Sequence, residues 1–276
     1  MKMKTKSIIV TVLIAVALLI VLLFELFPIY WAIVSSLRAR EEIVGMAPIY
    51  PTSFRIQNFY DVFVKWKYYE YVVNSVIVAT GNTVLVLLVT LPAAYALARF
   101  RMGVARHLSF WILTNRMAPP AAFLLPLYML FSFLRLSGTF IGLILAYCVF
   151  NIPLSIWLLT AAIESIPRDI EEAAMLDGLS PFGVLTKITI PLAKSGIAST
   201  GLLTWLFAWN HYIFGMILSG PDTKLITVAL GDFALTTVGI EWEYVATMTV
   251  GTIIPVFVVL FIVRRAIVSG FAFGKI

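Results

Sequence analysis

The apolar positions of this chain run in long unbroken blocks rather than in a one-sided helical stripe or a strand-like alternation. A hydrocarbon layer about 30 Å thick is crossed by about 20 helical residues. Blocks of that length lie at about 8–34, 72–98, 108–134, 139–163, 197–218 and 244–263. They predict an all-α integral membrane protein with six transmembrane helices, built as one domain over residues 1–276.

The blocks differ in regularity. The first follows Lys2, Lys4 and Lys6 and continues to about Val34 with no small-residue cleavage site, which predicts a retained anchor helix rather than a removed signal. Glu25 interrupts it, and faces either a bundle interior or an interface. The third contains Asn115, Arg116, Met117, Ala118, Pro119 and Pro120. Two consecutive prolines remove two donors and break the helical ladder. Backbone freed at membrane depth must be buried in protein or line a wet cavity, so the break is either a pathway lining or a packed kink.

The longest connection on the side shared with the N-terminus, 164–194, reads ESIPRDIEEAAMLDGLSPFGVLTKITIPLAK. Ser165 is expected to cap a helix with Pro167 in its first turn, and Asp169, Glu171 and Glu172 suit that N-terminus. Gly178 is a left-handed stop, Ser180 caps a second helix opening with Pro181, and Pro191 ends it. Phe182, Leu185 and Ile188 recur at a spacing of three. This apolar stripe either docks on a partner or packs on the protein's own helix ends.

Composition agrees with the blocks. The chain is 61% hydrophobic and 12% charged, with mean hydropathy +1.00. Soluble domains carry about 25% charged residues, so too little charge is present to wet a globule of this size. The net charge of +6 is spread along the connections, so it argues for orientation rather than nucleic-acid binding. With an inner N-terminus, Lys and Arg favour the inner side, which predicts N-in and C-in. The outer stretch at 35–71 is the exception; it holds Arg38, Arg40, Arg55, Lys65 and Lys67. Its Trp66, Tyr68, Tyr69 and Tyr71 read as an interfacial belt. One cysteine, Cys148, and two distant histidines, His107 and His211, offer no disulfide framework or metal cluster. No phosphate-binding G-x-x-x-x-G-K-[ST] loop, HExxH helix or nucleophile elbow is present, which argues against an enzyme.

Glu172-Ala173-Ala174, Asp177-Gly178, Ile188, Pro191 and Leu192 together resemble the EAA motif of ABC importer permeases. RMAPPAAFLLPLYMLF, GLILAYCVFNIPLSIWLL and the FAWN stretch at 207–210 resemble the carbohydrate-uptake branch, and its maltose-permease-like smaller subunit. The likeness runs from about Leu26 to Gly274. Leu179 stands where that motif usually has alanine, and His211 where aspartate is common.

The resemblance implies a type I ABC importer permease fold with a cytoplasmic EAA coupling-helix loop, in the cytoplasmic (inner) membrane of a bacterium or archaeon. The implied partners are a second permease subunit, by family habit a different chain, two ATPase subunits and an extracytoplasmic solute-binding protein. ATP and Mg would be bound by the ATPase, leaving no cofactor in this chain. The implied coupling residues are Glu172, Ala173, Ala174, Asp177 and Gly178, with Phe182, Leu185 and Ile188 as the docking stripe. The outer stretch at 219–243 would meet the binding protein through Asp222, Lys224 and Asp232, or close the bundle as a solvated hairpin. Candidates for a sugar or polyol pathway are Asn115, Arg116, Trp209, Asn210 and His211. Aromatic rings stack on sugars and amides bond their hydroxyls, yet the same residues also hydrogen-bond between membrane helices. The competing class is an ion-gradient-driven secondary transporter, which places ionisable groups or unwound helices near the midplane. A receptor or purely structural subunit is a third class.

Overall fold

The computed structural model describes residues 2–44, 48–100, 110–112, 114, 117–236 and 241–273. Among these residues the regular structure is helical throughout. The principal helices are α1 (Lys2–Ser36), α2 (Tyr68–Arg99), α3 (Leu124–Phe133), α4 (Phe140–Glu164) and α5 (Arg168–Leu176). They are followed by α6 (Pro181–Leu192), α7 (Lys194–Asn210), α8 (Tyr212–Leu218), α9 (Ile226–Thr236) and α10 (Trp242–Phe273).

Among the described residues, four helices are long and apolar enough to cross a membrane: α1, α2, α4 and α10. The pair α7 and α8 makes a fifth crossing if counted together, but it is bent by 54°. The block at 197–218 is therefore not one rod, as its continuous apolarity suggested. In the third block Pro119 is extended, Pro120–Phe123 is a 3-10 turn, and α3 is only ten residues long. The proline pair thus breaks the block where its missing donors require it. Among the described residues of the stretch at 219–243, a 3-10 turn at Pro221–Thr223 is followed by the helix α9.

The chain divides into two compact units. The first comprises Met1–Tyr69 and Leu230–Ile253. Buried Asn58 donates to the Ser36 and Arg38 carbonyls at 2.9 and 3.0 Å, closing the end of α1. Arg38 is fully buried, donates to the Pro48 and Tyr50 carbonyls, and lies over the Trp31 ring. It is a cation held by carbonyls and a ring inside this unit. Trp66 packs on Phe233 and Tyr244, and Tyr68 is buried. These two pack within the unit, whereas Tyr69 is exposed.

The second unit comprises Glu70–Ala229 and Ile254–Ile276. A buried polar chain ties α2, α4 and α7 together. Asn82 donates to the Ile144 carbonyl at 2.9 Å, and Asn151 donates to the Asn82 amide oxygen at 2.7 Å. Ser155 and Thr204 share a hydrogen bond of 2.9 Å. Such bonds between membrane helices contribute about 0.6–2 kcal/mol each, and here every partner comes from another helix. At Gly196 the backbones of α7 and α4 come close enough that a Cβ would overlap the Ala162 methyl.

Candidate functional site

Two places in the second unit combine the residues singled out in the sequence. The first is the loop between α4 and α7. Residues 168–176 form a helix because Asp169 and Glu171 oppose the positive end of its dipole, and because Ala174 fills its packed face. Gly178 has φ +93°, Gly178 N–H donates to the Met175 carbonyl, and Leu179 N–H donates to the Ala174 carbonyl. This pair of bonds is a Schellman ending, which requires a left-handed residue at that position. Ser180 then caps α6 by accepting from Gly183 N–H at 3.2 Å, with Pro181 in the first turn.

Two details depart from expectation. Ser165 closes the C-terminal end of α4 and donates to the Ala162 carbonyl, while Pro167 occupies the position before α5. Ser165 is therefore not the cap of α5; α4 runs on through Glu164 and takes that residue for its own end. The apolar stripe also divides. Leu185 is 5% exposed and Ile188 packs beside it, in a core built from Ala94, Tyr95 and Ala98 of α2, Leu159 and Ile163 of α4, Ala174 and Val184. Phe182 alone of the three is exposed. Spacing by three was too coarse because a π-helical turn at Leu185–Thr189 rotates the later residues toward the core.

The exposed edge instead surrounds the Gly178 turn. Leu176 is 90% exposed and Phe182 72% exposed, with Met175 nearby in sequence. Glu172, Ala173 and Asp177 are exposed too, whereas Ala174 faces the core. The turn is thus a small exposed apolar knob flanked by the Glu172 and Asp177 carboxylates.

Behind this knob lies an arrangement that the sequence reading did not find. Arg99, the last residue of α2, holds buried Glu171 in a two-armed ion pair, Nε to Oε2 at 2.6 Å and Nη2 to Oε1 at 3.2 Å. Its Nη2 also donates to the Ile163 and Ile166 carbonyls at 2.8 and 3.0 Å. Thr189 of α6 donates to Glu171 Oε1 at 2.8 Å. Arg168 returns the favour by donating to the Ala98 carbonyl near the end of α2. A cavity of about 110 Å³ opens beside it, lined by Tyr95, Arg99, Arg168, Glu171 and Glu172 among others. The only signal in the sequence was an arginine ending an apolar block, which reads as an ordinary interfacial anchor.

The second place is a cleft of about 240 Å³ lined by Pro120, Phe150, Asn151, Phe207 and His211. It brings together the two breaks in the membrane helices. His211 has φ −78° and ψ 102° between α7 and α8, and its carbonyl accepts from the Tyr147 hydroxyl at 3.0 Å. Asn210 donates from its side chain to the Leu206 carbonyl one turn back. The His211 carbonyl at the break is therefore satisfied from within the protein, as membrane depth demands. The His211 ring stacks on Tyr147 and Phe214, with Phe150 beside it.

Of the pathway candidates, His211 lines the cleft. Trp209 is 2% exposed and Asn210 is exposed, and neither is among the lining residues. Asn115 and Arg116 lie outside the described residues. Phe150, Asn151 and Phe207 are lining residues that sequence reading missed, because nothing in an apolar run marks which face meets a cleft. Asp222 is exposed; its carbonyl and that of Lys224 accept from Asn74 of α2 at 3.1 and 3.0 Å. Those two residues therefore sit on a fixed turn, while Asp232 lies on α9, in the first unit. Glu25 is exposed on α1.

The family described as "Binding-protein-dependent transport system inner membrane component" matches residues 88–272. The sulfoquinovosyl glycerol transport system permease protein of Agrobacterium fabrum is 30% identical over 266 residues, covering 94% of this chain and 91% of that one. The trehalose transport system permease protein of Mycobacterium tuberculosis is 29% identical over 258 residues, covering 92% and 93%. Among solved structures, a bacterial ABC transporter involved in import of the acidic polysaccharide alginate matches with TM-score 0.78 at 25% identity, covering 93% of this chain and 96% of that chain. The helical fold, the helix-turn-helix loop and these matches agree, and the chain belongs to the family of binding-protein-dependent transport system inner membrane components: it is an ABC transporter permease, a membrane-embedded transport subunit rather than an enzyme.

Proposed function

We propose that this chain forms half of the translocation pathway of an ATP-driven importer of sugars or polyols, with six spans and both termini on the cytoplasmic side. The carbohydrate class is supported by the relatives, whose names include sulfoquinovosyl glycerol, trehalose and diacetylchitobiose transport systems. It is supported also by the chemistry of the cleft, where rings at Phe150, Phe207 and His211 adjoin the Asn151 amide. Rings of this kind stack on the apolar faces of a sugar, and an amide bonds its hydroxyls. The observation that carries the reading is the Gly178 knob. Glu172, Ala173, Asp177 and Gly178 present a compact, acid-ringed edge that a groove on a separate ATPase subunit receives. Two ATPase subunits, a second and different permease chain, and an external solute-binding protein complete the machine. The binding-protein contact is assigned to the turn carrying Asp222 and Lys224, and to Asp232.

In this mechanism ATP and Mg stay on the ATPase. Closure of the ATPase dimer moves the knob, the knob moves the helix ends, and the cleft opens outward to receive solute. Hydrolysis reverses the motion. The test is reconstitution in liposomes. Sugar uptake should require ATP, both permease chains, the ATPase and the loaded binding protein together. Uptake by this chain alone under a proton or sodium gradient would contradict the reading.

A further inference from the structure

The Arg99 guanidinium sits where three elements end, and it makes four bonds there. Two go to the Glu171 carboxylate at the start of α5, and two go to the Ile163 and Ile166 carbonyls where α4 finishes. Arg99 itself terminates α2. The Glu171 carboxylate is 2% exposed and is further held by Thr189 of α6. Arg168, three residues before Glu171, donates back to the Ala98 carbonyl, so the ends of α2 and α5 cap one another. A surface anchor needs none of this. A buried carboxylate–guanidinium pair costs more to desolvate than an apolar substitute would, so it is a poor device for stability alone. Its fork geometry does fix direction and distance between the elements that carry it.

We infer that Arg99 is a positioning residue for coupling. Through Glu171 it binds the knob helix to the ends of α2 and α4, so that a displacement of the Gly178 turn is delivered to both spans as one rigid body. The inference rests on the reading of the 164–194 loop as the ATPase contact. Glu171 is buried and Glu172, the next residue of α5, is exposed, so the two adjacent carboxylates divide the work: Glu172 meets the partner and Glu171 meets the body of the permease.

The experiment uses the assembled importer in liposomes and measures solute taken up per ATP hydrolysed, together with the yield of assembled complex. Arg99→Gln should assemble and hydrolyse ATP while uptake per ATP falls by about 2- to 30-fold, the range of coupling losses from single residues along a transmitting network. Arg99→Lys should recover part of the loss, because an ammonium reaches the carboxylate but cannot copy the fork. A purely structural role would lower the yield of complex and leave uptake per ATP unchanged in both variants, and that result would overturn the inference. If Arg99→Gln fails to assemble, Thr189→Val removes only the hydroxyl bond to Glu171, and it should lower the same ratio by a smaller factor; an unchanged ratio there would overturn the inference as well. Gly178→Trp serves as the control for the loop itself. If Gly178→Trp leaves uptake per ATP untouched, the ATPase-contact reading fails; if it uncouples and Arg99→Gln does not, only the role of Arg99 fails.

Discussion

Gly178 offers a test in which two physical explanations give opposite orders. Its φ is +93°, and a Cβ built on it would meet nothing within 4 Å. A side chain here therefore costs no overlap inside the protein. The penalty is that of placing an L-residue in the left-handed region, about 1–2 kcal/mol. That shifts the ratio of turned to unturned loop by about 5- to 30-fold. Asparagine enters this region more readily than alanine although it is larger. The structure therefore predicts that ATP-driven uptake per assembled complex falls in the order Gly178, Gly178→Asn, Gly178→Ala, Gly178→Val. Complex yield, measured on the same preparations, should change little, since the core beneath the turn is untouched. If alanine is tolerated and asparagine is not, the glycine serves close approach by a partner rather than backbone conformation, and the reasoning from φ is refuted.

Other substitutions probe the frame that carries the loop. Gly196→Val should prevent stable folding, because even the first carbon meets Ala162; the amount of monodisperse protein should fall in the order Gly, Ala, Val, with Gly196→Asn below Gly196→Ala, the reverse of their order at Gly178. Asn151→Leu breaks the 2.7 Å bond to Asn82 and should cost about 0.6–2 kcal/mol, seen as a lower midpoint of thermal unfolding in detergent. Asn82→Leu combined with it should cost less than the sum of the two, and strict additivity would show that the pair does not interact. Ser180→Ala removes the cap of α6 and should cost about 0.5–2 kcal/mol locally, visible as faster hydrogen exchange at Gly183 with no change at the centre of α4.

Four of the six apolar blocks, and the loop, were legible because each follows from local chemistry. Block length sets a span, a glycine between two short helices sets a left-handed stop, and Ser-Pro opens a helix. The Pro119-Pro120 break was legible for the same reason. The bend at His211 was not, since the Tyr147 hydroxyl meets the opened carbonyl and no proline or glycine marks the place. The stripe 182–185–188 was misread because a π-helical turn changes the period, which no spacing rule over three residues detects. Ser165 carried a cap signature that belonged to the end of the preceding helix. Arg99 and Glu171 were missed because their pairing spans 72 residues of sequence and each has a plausible local role as an anchor and a dipole partner. Arg38 misled in the opposite direction, since a cation in a polar stretch gives no sign that carbonyls 10 and 12 residues later bury it.

The account's central claim is that the Gly178 knob enters an ATPase subunit. A photo-reactive amino acid placed at one position at a time in the assembled importer tests it directly. Leu176 and Phe182, which are 90% and 72% exposed beside the turn, should cross-link to the ATPase, while Leu185, which is 5% exposed in the core, should not. Cross-links from Leu185 equal to those from Leu176, or none from either Leu176 or Phe182, would contradict the claim.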